Sequence, residues 1–459
     1  MAETAVIRAP HDGSETGVVA LAGPEEVRAA LDANVATAKS CRELPAHARA
    51  AALRKVADGL EAAKSEFAHT LALEAGKPIA QARTEIDRAI FVFRDGAEEA
   101  TRIEGEVLPA DVVPSGTGRI AITRRFPLSP VVGITPFNFP VLLAAHKIAP
   151  AMACGATITL KPPPQDPLTT LRLGELVRAS GYPDGAVNIV PCHVEVAQIL
   201  IEDPRVRVIT FTGSAKAGWA IRAKAGTKRV ALELGGNAAV IIEPDADLAW
   251  AAQRCAIGGF TYAGQSCIST QRIFVHDSVY AKFLDQFVTR VRQLKVGNIL
   301  DEQTDVGPMI ALDAAERVER WIAEATAAGA QIVLGGKRTG VFLQPTVLTH
   351  TTAEMKVNCE EVFAPLVTVT PYGKLADAIT WANASPFGLQ AGVFTTNLQT
   401  MLKLHAELDV GAVNGNDIPG FRVDRLPYGG AKASGLGREG VRYAIEEMTE
   451  RRVLTLKID

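Results

Sequence analysis

From residue 118 onward the chain alternates short runs of β-branched and apolar residues with helical repeats, and this narrows the fold more than any other feature. The runs include "RIAITRRF" (119–126), "VVGIT" (131–135), "ATITLKP" (156–162), "AVNIVP" (186–191), "VRVITFTGS" (206–214) and "RVALELGGNAAVIIEP" (229–244). Helical patterns such as "TTLRLGELVRAS" (169–180) and "HVEVAQILIED" (193–203) separate several of them. Strands apolar on both faces need cover on both, which a parallel sheet between helix layers supplies. A second alternation includes "QRIFVH" (271–276), "VYAKFLDQFVTRVRQL" (279–294) and "PLVTVTPYG" (365–373). The pattern therefore predicts α/β architecture, with two three-layer α/β domains.

Residues 24–102 are Ala-rich with Glu, Lys and Arg between apolar positions, which predicts three or four amphipathic helices. The final "RRVLTLKI" (451–458) is a strand with no following partner in sequence. It must pair with "RIAITRRF" or across a subunit boundary, because an apolar edge invites association. At 459 residues the chain exceeds one ordinary core. Lys and Arg number 48 against 51 Asp and Glu, a balance that gives no electrostatic footprint for nucleic acid or an anionic membrane. "FPLSPVVGITPFNFPVLLAA" (126–145) is uncharged but carries four prolines, so it reads as buried strand and loop rather than a spanning helix. The polar N-terminus lacks a signal-peptide core. Six scattered cysteines without CxxC spacing argue against a metal site and a disulfide framework, and reduced thiols in a cytoplasmic compartment are expected.

Five stretches could carry chemistry. "ITFTGSAKAG" (209–218) places Gly213 and Ser214 directly after an apolar strand, where helix N–H groups can meet a phosphate; a plain strand–helix turn would look the same. "TLKPPPQDP" (159–167) ends a strand with Lys161, either a ligand contact at a carboxyl strand end or a solvated lysine. In "TPFNFP" (135–140) the Asn138 amide either braces a turn or offers its NH₂ to a substrate. In "LELGGNAAVII" (232–242) Glu233 sits between leucines, and so needs a salt-bridge partner or carries the raised pKa of a general base. "FTYAGQSCIST" (260–270) centres on Cys267, a small core filler or a nucleophile.

Together and in order, "FNFP", "LKP", "FTGS", "ELGGN", "GQSC", "EEVFAP" and "PYGGAKASGLGREG" resemble the landmarks of the aldehyde dehydrogenase superfamily over nearly the whole chain. The resemblance implies that Cys267 attacks the aldehyde carbonyl. It gives the Asn138 amide and the Cys267 backbone N–H the oxyanion, and Glu233 the water that hydrolyses the thioester. Glu233 favours release of a free carboxylate over transfer to coenzyme A. For the cofactor it implies Lys161 on the adenosine ribose, Gly213 and Ser214 at the pyrophosphate, and Glu361 and Phe363 beside the nicotinamide ribose. Thr135, Pro136, Phe137 and Leu234 complete that surface. Pro164 stands where many NAD-preferring members have glutamate, while Asp166 would not welcome a 2′-phosphate. The expectation is NAD in preference to NADP, with some use of both.

The implied substrate pocket comprises Arg88, Phe139, His146, Ser266, Ile268, Arg422 and Tyr428. Two guanidinium groups and an imidazole on a small pocket suit a hydroxylated or anionic short aldehyde, as in the lactaldehyde branch. Ser266 stands where some phosphate-handling members carry arginine, which weighs against a dianion; Arg88 and Arg422 could instead bind Asp87 or Asp424. The family architecture assigns 1–113 and 130–236 to an NAD(P)-binding domain, 237–440 to a catalytic domain, and 114–129 with 441–459 to a small β oligomerisation arm. A homodimer or homotetramer is expected. Rival readings are a succinate-semialdehyde-type dehydrogenase and an inactive member serving as a binding or structural protein.

Overall fold

The computed structural model describes residues 3–458. A short antiparallel hairpin, Thr4–Arg8 with Glu15–Ala20, precedes four helices, Pro24–Glu43, Ala46–Ala62, Lys64–Ala75 and Ile79–Glu99. The last of these lays one face on the helix Pro140–Cys154, whose fifteen residues are all buried. Such a helix is apolar on every side save at His146 and Lys147, because it lies inside the first core.

In the first sheet the strands run Val187–Ile189, Ile158–Lys161, Val131–Ile134, Val208–Thr212 and Arg229–Glu233, all parallel. Gly435–Leu436 adds antiparallel at the edge. Successive connections leave Val131–Ile134 on opposite sides, so the order reverses there, and a crevice opens at the carboxyl ends of Val131–Ile134 and Val208–Thr212. The second sheet runs Gln331–Leu334, Thr346–Thr349, Leu366–Tyr372, Thr270–His276, Ala238–Ile242, Gln390–Phe394 and Ala412–Gly415, parallel but for the first strand. Its middle strands are buried along their length, as strands covered on both faces must be.

The chain passes from the first sheet to the second through Leu234–Asn237. That link joins the carboxyl end of one sheet to the amino end of the other, and the cleft forms between them. A third, three-stranded sheet stands away from both: Thr449–Lys457 pairs antiparallel with Arg119–Pro127 over nine residue pairs, and Val107–Pro109 adds to its other side. It exposes Val453, Leu454 and Leu456. The helix Val441–Glu447 instead buries Val441 and Ile445 in the first core, so this stretch packs with residues 130–236 and only the strand after it leaves the body. No helix among the described residues is long and apolar enough to cross a membrane.

Candidate active site

A cavity of about 560 Å³ lies in the cleft, and Cys267, Asn138 and Glu233 all line it. Each reaches it from a different element. Asn138 follows the strand Val131–Ile134, Glu233 ends the strand Arg229–Glu233, and Cys267 precedes the strand Thr270–His276.

The turn before Cys267 is held in an unusual backbone. Tyr262, Ala263 and Gly264 all have positive φ (50°, 52° and 69°). Left-handed geometry costs side-chain-bearing residues of order 1–3 kcal/mol each and persists only where neighbours enforce it. Here the Tyr262 N–H donates to Gln81 Oε1 (2.9 Å) and its hydroxyl to the Ala75 carbonyl (2.8 Å). Gln265 Oε1 accepts from the Ile310 N–H at 2.8 Å. A Cβ on Gly264 would stand 2.1 Å from the Ala364 carbonyl oxygen, and one on Gly236 would stand 2.3 Å from the Cys267 carbonyl oxygen. Only glycine lets these backbones approach so closely.

Asn138 is fixed from both sides. Its side-chain N–H donates to the Gln265 carbonyl at 3.0 Å, which leaves a second amide hydrogen for another acceptor. Its own carbonyl accepts from the Lys77 ammonium at 2.6 Å. Lys77 is buried, paired with Glu85, and lies over the rings of Phe139 and Tyr262. Glu85 in turn accepts from the Val141 and Leu142 N–H groups at the start of the helix Pro140–Cys154. Neither Lys77 nor Glu85 was singled out by the sequence; a lysine and a glutamate on an amphipathic helical stretch read as solvated.

The electrostatics separate two carboxylates. Burial, and then repulsion from Glu439, pushes Glu233 well above the ordinary carboxylate range, and its Oε2 has no hydrogen-bond partner in the protein. Burial acts to raise Glu439 too, but Lys147, 3.2 Å away, together with the neighbouring His146 and Arg422, outweighs it and holds that carboxyl down to about 2. Lys147 also donates to Thr212 Oγ1 at 2.8 Å. The signal for Lys147 was present, because a lone lysine inside the apolar helix "PVLLAAHKIAPAMAC" needs a buried partner. Burial pushes the Cys267 thiol up to about 11, with a 3.0 Å contact to the Tyr428 hydroxyl pulling the other way.

The basic residues expected to face a substrate are arranged differently. His146 is fully buried and does not line the cavity; its Nε2 lies 3.1 Å from both Asp424 Oδ1 and Arg422 Nη2. Burial and Arg422 lower its pKa, so it is a neutral ring inside the core. Arg422 lines the cavity but is 3.2 Å from Glu439 and 3.3 Å from Asp424, with its guanidinium stacked on the Tyr428 ring at 3.7 Å. Arg88 grips Asp424 through Nε (2.9 Å) and Nη2 (2.7 Å). Three free cations do not converge on this pocket. Asp424 takes both guanidinium groups and the neutral His146 ring, because buried charge must be paired. Asp87 pairs with Lys64 instead. Arg88 remains 28% exposed at the cavity wall, beside Phe139, Ser266, Ile268 and Tyr428.

Of the residues expected at a cofactor, Pro136, Phe137, Gly213, Ser214, Leu234, Glu361 and Phe363 line the same cavity. Ser214 caps the helix Ala215–Lys224. Burial raises Glu361 to about 7, while its Oε1 accepts from the Gly236 N–H at 2.9 Å. Phe137 meets Phe363 edge to face at 5.9 Å. Thr135, Lys161 and Pro164 lie outside the lining, at the adjoining strand ends. Lys161 is buried with its ammonium on the Pro162 carbonyl (3.1 Å) and no carboxylate beside it, and Pro164 is exposed.

Known proteins with this organisation are enzymes. The 3-sulfolactaldehyde dehydrogenase of Priestia megaterium is 46% identical over 407 residues, 88% of this chain and 85% of that one. Among solved structures, aldehyde dehydrogenase 21 of Physcomitrella patens, in complex with its reaction product succinate, superposes with a TM-score of 0.97 at 40% identity, covering 100% of this chain and 95% of that one. A glyceraldehyde-3-phosphate dehydrogenase of Methanocaldococcus jannaschii complexed with NADP gives 0.96 at 37%, covering 100% and 99%. The protein is an NAD(P)-dependent oxidoreductase acting on small aldehydes. It belongs to the aldehyde dehydrogenase family, whose model matches residues 2–454.

The left-handed turn supplies a test. Gly264→Ala is expected to lower stability by about 2 kcal/mol or more, seen as a fall in Tm, and to cut turnover. An unchanged Tm and rate would mean that the turn can relax.

Proposed function

We propose that this enzyme oxidises a small hydroxylated or singly anionic aldehyde, such as lactaldehyde or its 3-sulfonated relative, to the free carboxylate. The observation that carries the reading is the meeting of Cys267, Asn138 and Glu233 in one cavity. The Cys267 thiolate attacks the carbonyl carbon. Negative charge then grows on the carbonyl oxygen, to which the uncommitted Asn138 amide hydrogen and the Cys267 backbone N–H donate; each such donor is worth about 10²–10³ in rate. A dinucleotide held beside Glu361 and Phe363 would supply the hydride acceptor, and loss of hydride from the former carbonyl carbon leaves an acyl group on sulfur. Glu233 takes a proton from water as that water attacks the thioester, and the sulfur departs with the proton returned to it. A raised pKa suits Glu233 to this task near neutrality.

The residues present fit a dinucleotide. The buried Lys161 ammonium lacks a carboxylate and suits ribose hydroxyls. Gly213 and Ser214 at a helix start suit the pyrophosphate. Glu361 and Phe363 suit the nicotinamide ribose. Pro164 neither accepts from a 2′-hydroxyl nor repels a 2′-phosphate, so NAD is preferred and NADP is also used.

Charge bookkeeping supports the substrate class. Arg88, Arg422 and Lys147 face only Asp424 and Glu439, an excess of one positive charge while Glu233 is protonated. That excess suits a monoanion or a hydroxyl, and the Priestia relative's name points the same way. Succinate in the Physcomitrella structure favours succinate semialdehyde as the second reading, which is also a monoanion. In the outer strand Leu454 and Leu456 share one exposed face and Val453 lies on the other, an apolar surface that a second copy of the chain would cover, giving a homodimer or homotetramer.

NAD(P)H formation with lactaldehyde, 3-sulfolactaldehyde, succinate semialdehyde and butanal tests the substrate. A higher kcat/KM for a hydroxylated or anionic aldehyde than for butanal is expected, with Arg88→Met raising KM for the anionic ones most. Preference for butanal would refute the polar-substrate reading. Glu233→Gln should release about one equivalent of NADH rapidly and then turn over at least 10²-fold more slowly. Because Glu233 works only when ionised and its pKa is raised, wild-type turnover should rise with pH from an inflection well above 4.5; an inflection at 4.5 would remove Glu233 as the base. Leu454→Asp should shift the protein to a smaller species in size-exclusion chromatography with light scattering. An unchanged mass would place the interface elsewhere.

A further inference from the structure

The roles proposed above leave one contact of the nucleophile unused. The Tyr428 hydroxyl lies 3.0 Å from Cys267 Sγ, closer than any other side chain for which a contact to the sulfur is seen. We propose that Tyr428 is a catalytic residue whose hydroxyl donates to the Cys267 thiolate, stabilising the nucleophile before aldehyde arrives. This rests on Cys267 being the nucleophile and adds to that reading the group that makes its ionised form accessible.

The geometry fixes which atom donates. Between a neutral thiol and a phenol either could do so, but once the thiol has lost its proton only the phenol carries one. Burial, and then the neighbouring Cys267, raise the Tyr428 hydroxyl well above its ordinary range, because a second negative charge beside the thiolate is disfavoured, so the phenol keeps its proton as the donor. The proton lost by the thiol passes to solvent through the cavity, and the phenol retains its own. A hydrogen bond from a neutral donor to a buried anion is stronger than one between neutral groups, so it favours the thiolate over the thiol.

The rest of the surroundings do not make this donor redundant. The charged groups that act on Cys267 are Glu361 and Glu233, which oppose ionisation, and Arg422, which favours it. Arg422 does so from the far face of the Tyr428 ring, where its guanidinium stacks at 3.7 Å. Its position is set by Asp424 and Glu439. Ile268 and Leu389 pack in one cluster with the Tyr428 ring, and Cys267 lies against that cluster while still lining the cavity. Tyr428 is therefore held rigidly, with its hydroxyl aimed at one atom. The same position filled by phenylalanine would preserve the packing and lose the donor, which makes the substitution informative.

The test needs no knowledge of the aldehyde. Alkylation of the cofactor-free enzyme by iodoacetamide, followed across pH by mass spectrometry of the Cys267 peptide, reads the thiolate fraction directly. In Tyr428→Phe the profile should move to higher pH and the rate at a fixed pH on its rising limb should fall about tenfold. Tm should stay within a few degrees of wild type. In the same variant kcat/KM should fall for every aldehyde by a similar factor. An unchanged alkylation profile, or faster alkylation in the variant, would overturn the proposal. If Tyr428→Phe unfolds, Tyr428→Trp, which retains an N–H donor and an aromatic face, should alkylate faster than Tyr428→Leu; equal rates would overturn it. Failure of Cys267 to alkylate selectively in wild type would instead count against Cys267 as nucleophile, so the two readings fail separately.

Discussion

Lys147, Arg422, Asp424 and Glu439 are charged side chains buried together between the two sheets, and the site is built on their mutual compensation. Each is too expensive to bury alone, and each is affordable only because the others are present. Lys147 comes from the helix after Asn138, whereas Arg422, Asp424 and Glu439 come from the closing segment of the chain. The network therefore ties elements nearly 300 residues apart in sequence. It also moves two carboxyl groups in opposite directions. Glu439 is held low beside Lys147, and its charge adds to burial in raising the neighbouring Glu233. A pair of carboxylates pushed apart in pKa is a recurrent signature of acid–base sites.

Much of the fold was readable because it rests on local pattern. Strands buried on both faces have a composition that a half-exposed strand lacks, so the parallel sheets followed from "VVGIT", "ATITLKP" and "AAVII". The N-terminal hairpin escaped notice because "TAVIR" and "ETGVVA" are short, half-polar and far from any repeated pattern. Within the cavity, Cys267, Asn138 and Glu233 stood out because a thiol, an amide and a carboxylate in apolar stretches each demand an explanation. Among the charge partners, Asp424 was one of two carboxylates offered for Arg88 and Arg422. The choice of Asp424 over Asp87 and the part of Glu439 were not legible, because nothing in sequence says which carboxylate a buried arginine finds. His146 illustrates the difficulty: one helix position carries it away from the cavity, and only the arrangement of Asp424 and Arg422 shows why it is there.

The positively charged wall of the pocket is thus largely neutralised. On the side of Phe139 and Tyr428, Arg88 stays partly open, and it is already gripped on one edge by Asp424. Held in that way, a guanidinium presents its remaining N–H groups in a fixed direction and loses little freedom on meeting a ligand. On the substrate reading proposed above, Arg88 offers one oriented donor edge, and Phe139, Leu142 and Leu143 add apolar surface to the same cavity.

The crossing at Leu234–Asn237 has a mechanical consequence. It passes beside the carbonyl of Cys267, starts one residue after Glu233, and is one of two covalent crossings between the sheet bodies, the other returning from Ala412–Gly415 to Gly435–Leu436 through Tyr428. Rotation of one rigid body on another displaces points in proportion to their distance from the axis. With the joint beside the reacting groups, rocking that parts the outer lips of the cleft by several ångströms moves thiol and carboxylate relative to each other by only a fraction of that. Ligand exchange at the rim and constant spacing at the pivot are therefore compatible in the same molecule.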